Sequence, residues 1–536
     1  MTFVTRNRSA AWRSAVFAPI ALITFMNAAL AQEPQHGGKM TIAPSSDLTS
    51  LINQVDIGAN SVALGMKYLE PLITVDEKGE FVPVLATAWE LSPDGLTWTF
   101  TIREGVKWHD GTTLTVEDVK WNMEEVWRKV HGSSVLGLVE SADVVGGSKV
   151  GVKLSKSVSP AVFLTMLAEQ ATVLCPHCFG DDELRESPQN QMPTGTGPFK
   201  VAEYVPGQYV LMKRNEDYWQ EGKPYLDEIV WRIITDPNTR AAALQSGEID
   251  LVPMSALPLS EIQAARSDDR FEVSPEGYEN YIFHTSLAFN FQRPIMANPD
   301  VRRAIAHVVD KQKIVDIVYF GEGSVMNSAL PNGTTFQSDD VATYDFDIDK
   351  ANALLDEAGY PRKADGTRFE VTIVAPPYLR GVFERGGQYL AQALKQIGIE
   401  SSLQIPEYGA YFQQVYKDRS FDISFFNAVY LLDPCISTTI WYTTDAYNSG
   451  GFFRNHSGEA LPETDAALET ACTASDDAGR AEAFAKFQRL ASENLAILNL
   501  VQEQRVNTYS KRLHNVGTGS ANWFYDSWAN VWVDQN

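Results

Sequence analysis

GTGPFKVAEYVPGQYVLMKRNEDYWQEGKPYLDEIVWRIITDPNTRAAALQSGEID, residues 195–250, is the stretch from which the fold can be read. Its Gly-Thr-Gly-Pro opening predicts a turn, because glycine reaches positive φ and proline fixes φ. Two strand-like runs follow, Gln208–Lys213 and Ile229–Ile234, and the second alternates Ile229, Trp231 and Ile233 on one face. Asp236 and Pro237 then stand where an N-cap and a first helical residue belong. A helix through Arg240–Ser246 ends at Gly247, a C′ glycine, and Ile249–Val252 starts another strand.

Working outward, the same alternation of strands and helices continues. Gly37–Ala43 reads as a first strand, and Ser92-Pro93-Asp94-Gly95 is a turn signal. After it Leu96, Trp98, Phe100 and Ile102 alternate with threonines and Arg103, the pattern of a half-buried strand. Thr115 with Asp118 forms a capping-box pattern opening a helix to about Lys129. Asn298-Pro299 starts a helix whose Val301, Ala304, Ile305 and Val308 form an apolar stripe. Further helices are predicted over Asp349–Ala358, Glu384–Gln396 and Arg480–Ser492. Strands are predicted near Phe369–Val374, Glu400–Ile405, Phe421–Phe426 and Ala496–Val501. No internal repeat or low-complexity linker interrupts the series.

The ordered elements GTGPF…YW…GKPYLDEI…ALQSGEIDLV, with PVLATAWELSPDGLTWTFTIREGVKWHDGTTLTVEDVKW earlier and HTSLAFNFQ later, resemble the periplasmic solute-binding proteins of the dipeptide/oligopeptide type. These are family 5, cluster C, of the ABC-importer receptors. The resemblance runs from the GGKMTIA strand to about Val506. It implies an α/β, type II periplasmic-binding-protein fold with two ligand-binding lobes joined by a hinge and an extra inserted lobe. On that pattern residues 32–67, 195–280 and 496–536 make lobe I, 68–194 the lobe II insertion and 281–495 lobe III. The expected partners are a small solute and a membrane permease with its ATPases, and the receptor is expected to be a monomer without a cofactor.

The start of the chain agrees with export. Arg6, Arg8 and Arg13 precede the apolar stretch Ala15–Leu30, and Ala29-Leu30-Ala31 offers a small-x-small cleavage pattern, so residues 1–31 read as a signal peptide. A spanning helix wants about 20 predominantly apolar residues, and this stretch is broken by Pro19 and Asn27. The periplasm is the expected compartment, and the absence of cysteine near the cut argues against a lipid anchor. A net charge of −24 speaks against nucleic acid or anionic lipid as partner. A hydrophobic content of 44% supports a large core rather than disorder.

Four cysteines bear on the alternatives. Cys175-Pro176-His177-Cys178 copies the active-site tetrapeptide of some disulfide oxidoreductases, but no thioredoxin-like βαβ unit surrounds it. A local structural disulfide or a pair of loop thiols is the plainer reading. Zinc through these residues lacks a second ligand cluster nearby in sequence. Cys435 and Cys472 are candidates for a bridge in an oxidising compartment, although pairing is not legible. There is no GxSxG, HExxH, Walker loop or Rossmann fingerprint. The chain reads as a binding protein rather than an enzyme, with a secreted thiol-redox or hydrolytic enzyme as the rival class.

Relatives that bind peptides hold the free amine with an aspartate in a segment reading roughly D-x-x-(D/E)-P. Here Asp433-Pro434 keeps the end of that pattern, while the amine-binding position falls on Tyr430. Either Asp433 takes the role, or the solute is not an α-amine but an oligosaccharide, opine-like conjugate or other organic anion. Arg380 or Arg385 is the candidate anchor for a carboxylate. Other lining candidates are Ser45, Ser46 and Asp47 in the first-lobe loop, Tyr408 in PEYGAY, and Trp441, Tyr442, Asn448 and Phe452 in WYTTDAYNSGGF. Trp523 near the end of the chain completes the set. Aromatic faces with interspersed Asn and Ser suit sugars as well as peptides. Trp89, Trp98 and Trp108 make a possible sugar platform, with core packing as the plainer expectation. No metal site is assigned.

Overall fold

Residues 195–250 fold in the computed structural model much as their turn and cap signals dictate. Strands Phe199–Val205, Tyr209–Arg214 and Glu228–Arg232 lead to a helix over Pro237–Ser246. The Asp236 carboxylate accepts the Thr239 N–H at 2.7 Å, and Gly247 closes the helix in the left-handed region at φ 76°. The structure describes residues 33–44, 48, 50–56, 58–130, 135–180, 183–449, 453–458, 461–474, 476–520 and 522–535. The expected signal peptide therefore lies outside the described residues, as do Ser45, Ser46, Asp47 and Phe452. Residues 35–536 form one compact unit. No described helix is long and apolar enough to cross a membrane.

Three sheets organise that unit. The first has seven strands in the order Phe271–Ser274, Asn507–Ser510, Leu251–Val252, Lys39–Ile42, Glu228–Arg232, Tyr209–Arg214, Phe199–Val205. Lys39–Ile42 runs parallel to Glu228–Arg232, with Ile42 beside Trp231. The second is an antiparallel four-stranded sheet, Ala86–Leu91, Thr97–Ile102, Lys149–Leu154 and Val139–Gly146, inside the inserted segment. Trp98, Phe100 and Ile102 are buried as the alternation predicts, and Trp98 stacks on Phe163 at 5.4 Å between centroids. Trp98 and Trp108 are thus core residues, and Trp89 packs against the same cluster. Thr115 and Asp118 make both bonds of the capping box that opens the next helix.

The third sheet has six strands: Gly323–Val325, Ile497–Glu503, Ile282–Phe289, Ile423–Tyr430, Phe369–Val374, Ile399–Gln404. The strand Ile497–Glu503 lies between Gly323–Val325 and Ile282–Phe289, in the interior of this sheet. Its run is buried on both faces, and a strand of that kind satisfies its backbone only in a sheet interior. The chain passes from the first sheet to the third through residues 275–281 and returns through 504–506. The cysteines pair as Cys175–Cys178 and Cys435–Cys472.

Gly195 and Gly197 are not among the residues with positive φ. They are glycines because the chain passes against the backbone of Tyr68: a Cβ on Gly195 would lie 1.7 Å from the Tyr68 carbonyl oxygen. Tyr68 O accepts the Gly197 N–H at 3.1 Å and Lys67 O accepts the Phe199 N–H at 3.0 Å, so the two passages of the chain are laced together. Gly195→Ala is expected to cost about 1–3 kcal/mol, at the upper end because the obstruction is backbone. A urea-unfolding midpoint unchanged from wild type would contradict this packing.

Candidate functional site

The two strands that carry the crossings share a buried charged network. Glu503 sits at the end of Ile497–Glu503. Its Oε1 accepts from Thr285 Oγ1 at 2.9 Å, Tyr319 OH at 3.2 Å and Asn427 Nδ2 at 2.6 Å. Its Oε2 pairs with the Arg505 guanidinium. Register explains the gathering: Thr285 lies opposite Asn427 and Phe283 opposite Val429, which puts their side chains on one face. Arg505 also donates to Met254 O at 3.3 Å and lies 4.5 Å from the Phe283 ring centroid. One ion pair thereby ties the first sheet's loop to both strands of the third. With three donors on one oxygen and the guanidinium on the other, this carboxylate is anchored in place.

A cavity of about 470 Å³ opens beside these crossings. Tyr278, Glu279 and Arg505 line it from the crossing segments, Ser324 and Gln502 from the third sheet, and Asn332 from the loop after Gly323–Val325. Its size is that of a small-ligand site, and donors and acceptors converge on it from both sides.

The residues singled out from sequence fall into three environments. Tyr408 is 55% exposed and stands in an aromatic wall with Tyr378, 6.3 Å away, and Phe453, itself 6.5 Å from Tyr378. Arg380 begins the helix Arg380–Gln396 next to that wall, and Arg385 donates to Val318 O at 2.9 Å. Asn448 is exposed at the end of Thr444–Asn448. Tyr430, Trp441 and Tyr442 are buried in the third-sheet core, where Trp441 packs on Phe426 at 4.7 Å. Trp523 is fully buried among Phe524 and Trp528. Asp433 is buried and takes both its oxygens to Arg480 Nη2, at 2.9 and 2.7 Å, while capping the Cys435 N–H.

Glu169 was missed, although a lone carboxylate in VFLTMLAEQATVL is a visible signal. It lies on Pro160–Gln170, a helix of the inserted segment, and accepts the Leu432 N–H from the third-sheet side. Beside it Ser159 N–H donates to Cys472 O at 3.4 Å, so the two bodies meet along a closed seam. Burial, reinforced by the Asp433 charge, raises the Glu169 carboxyl to about 8. Its Oε2, Thr74 Oγ1 and Asn522 Nδ2 are without hydrogen-bond partners, and the three residues line a small cavity of about 10 Å³, room for one water. Glu503 and Arg505 were also missed, since a polar pair at a strand end carries no periodic signal. Among the described residues one group offers clustered metal-ligand atoms: Asp110, Cys175, His177 and Cys178.

The comparisons accord with this architecture. Residues 80–449 match the family model "Bacterial extracellular solute-binding proteins, family 5 Middle". The chain is 27% identical over 496 residues to the glutathione-binding protein GsiB of Salmonella typhi, covering 88% of this chain and 91% of that protein. It is 26% identical over 402 residues to the oligopeptide-binding protein AppA of Bacillus subtilis, 72% of each. Among solved structures, the periplasmic binding protein DppA of Helicobacter pylori, in complex with the peptide STSA, superposes with a TM-score of 0.78 at 22% identity. That match covers 94% of this chain and 99% of the other, and it shows the shared fold.

The seam has a pH signature. Glu169 is raised from its ordinary 4.5 to about 8, so the folded chain keeps a proton that the unfolded chain releases within that window. This carboxyl therefore lowers stability progressively as pH rises from 4.5 toward 8. Glu169→Gln has no proton to lose. Its free energy of unfolding is therefore expected to increase relative to that of wild type, making the variant relatively more stable, as pH rises across that interval. Urea unfolding at stepped pH measures the difference, and a flat one would remove Glu169 from the closed seam.

Proposed function

This chain belongs to the bacterial extracellular solute-binding proteins, family 5, and from that footing we propose that it is the periplasmic receptor of an ABC importer for short peptides or peptide-like solutes. The observation that carries the reading is the pair of adjacent crossing strands, Ile282–Phe289 and Ile497–Glu503, with a ligand-sized cavity beside them. Two neighbouring crossings make a hinge, and a solute touching both bodies favours the closed form by its differential affinity. The closed form is the one the permease and its ATPases recognise. The receptor acts as a monomer and catalyses nothing.

Peptide chemistry is supported by the names of the relatives and by the charges at the cavity. GsiB is a glutathione-binding protein and DppA was solved with STSA. Glu279 and Arg505 line the cavity with opposite charges, which suits the two ends of a zwitterion. The aromatic wall of Tyr378, Tyr408 and Phe453 offers apolar faces for side chains. A second reading, a non-peptide solute such as an opine or oligosaccharide, is favoured by Tyr430. The amine-binding position of peptide receptors falls on this residue, which is packed into the core.

A thermal-shift screen of the protein with glutathione, di- to pentapeptides, their N-acetylated forms, opines and oligosaccharides separates these readings. A ligand at 100 times its dissociation constant adds about 2.7 kcal/mol. Peptides are expected to raise the melting temperature, and N-acetylation to abolish the rise. A rise from opines or sugars alone would replace the peptide reading with the second. Turnover of any of them would contradict a receptor.

A further inference from the structure

The Cys-Pro-His-Cys turn is brought by the fold against a residue that the sequence does not place near it. Cys178 N–H donates to Cys175 O at 3.1 Å, so both sulfurs project from one tight turn. From the loop before Thr115, Asp110 reaches His177, with Oδ2 2.7 Å from Nε2. Its other oxygen, Oδ1, is fixed by the Thr112 N–H at 2.9 Å and the Thr112 hydroxyl at 2.6 Å. The His177 ring nitrogens lie 3.4 and 3.5 Å from Cys175 Sγ. One ligand atom from each of Asp110, Cys175, His177 and Cys178 lies within 4.8 Å of all the others.

We propose that these four residues are the oxidised form of a zinc site, opened by reduction of the Cys175–Cys178 disulfide. Tetrahedral zinc with bonds of about 2.0–2.3 Å sets its ligands roughly 3.3–3.8 Å apart, so small movements complete the shell once the sulfurs part. A dithiol reductant delivers two electrons and two protons, becomes a disulfide itself, and leaves two thiols on the protein. Zinc then displaces both thiol protons and takes two thiolates, one His177 nitrogen and one Asp110 oxygen. In the disulfide the sulfurs are bonded to each other and are not thiolates, so the oxidised protein withholds the site.

The surroundings fit such a role. Cys175 is fully buried against the inserted segment's core and closes the site from behind. His177 and Asp110 are solvent-exposed and leave the metal a path in. The two bonds from Thr112 fix one oxygen of Asp110 and leave the other, Oδ2, turned to His177. Two sulfurs and an imidazole select zinc over magnesium or calcium, which prefer oxygen. This inference is independent of the transport reading.

The test is cobalt(II) titration of the full chain, oxidised and after dithiothreitol treatment with anaerobic removal of the reductant. The reduced protein is expected to take up a single equivalent, with thiolate charge-transfer and tetrahedral visible bands, and to surrender it to zinc. The oxidised protein and reduced Cys175→Ser/Cys178→Ser are expected to show neither band, which also controls for Cys435 and Cys472. His177→Ala and Asp110→Asn, at exposed positions, are each expected to weaken binding at least tenfold. No uptake after reduction would overturn the proposal. So would uptake unchanged in both exposed variants, which would mark a bare dithiol. A reduced chain whose circular dichroism collapses and is not restored by zinc would overturn it too.

Discussion

The carboxylate of Glu70 is the interaction on which the arrangement of the sheets rests. It is buried, and it accepts from Thr196 Oγ1 and Tyr218 OH at 2.8 Å each and from Trp219 Nε1 at 3.1 Å. The Arg103 guanidinium lies over the Trp219 ring at 4.0 Å. Burial raises this carboxyl to about 7, with the three hydrogen bonds and Arg103 pulling the other way. A buried carboxylate is costly unless its lone pairs are filled, so the group forces its donors together. Those donors belong to the GTG turn and the Tyr-Trp pair of residues 195–250. The acceptor belongs to the segment by which the chain leaves for the inserted sheet. Entry and exit of the insertion are thereby clamped side by side, with no room between Tyr68 and Gly195 for a methyl group.

What could be read in the sequence was what is settled within a few residues. Asp236 caps its helix because the donor lies three positions on, and Trp98, Phe100 and Ile102 alternate because a strand has period two. Both are matters of local geometry. The reason for Gly195 was not legible: its neighbour is Tyr68, more than a hundred residues away, and turn chemistry supplied a plausible but different explanation. The strand at 497–503 was recognised as a strand, yet its sheet was not, because an apolar run states that it is buried and not between which partners.

The site followed the same division. Tyr408 stood out as an aromatic in a turn-rich segment and is exposed beside Tyr378, whereas Trp441 and Trp523 carry the same signal and are core. Composition does not separate a stacking platform from packing. The cavity at the crossings is lined by Ser324, Asn332 and Gln502, whose side chains carry no periodicity and whose proximity exists only once two strands pair. Glu503 is a buried acid at the end of an apolar strand, and its four donors come from four separate segments.

The buried charges also limit where a solute's own charge can sit. Asp433 is engaged through both oxygens by Arg480 and also by the Cys435 N–H, next to the Cys435–Cys472 bridge. Drawing Asp433 to an incoming ammonium would strand Arg480 in the core, and breaking a buried pair costs about 3–5 kcal/mol. That is more than a hydrogen bond to a charged group returns, about 1.5–3 kcal/mol. A solute is therefore better served by groups with unspent valence. Arg505 Nε is such a group, buried, without a partner, and on a residue that lines the cavity at the crossings.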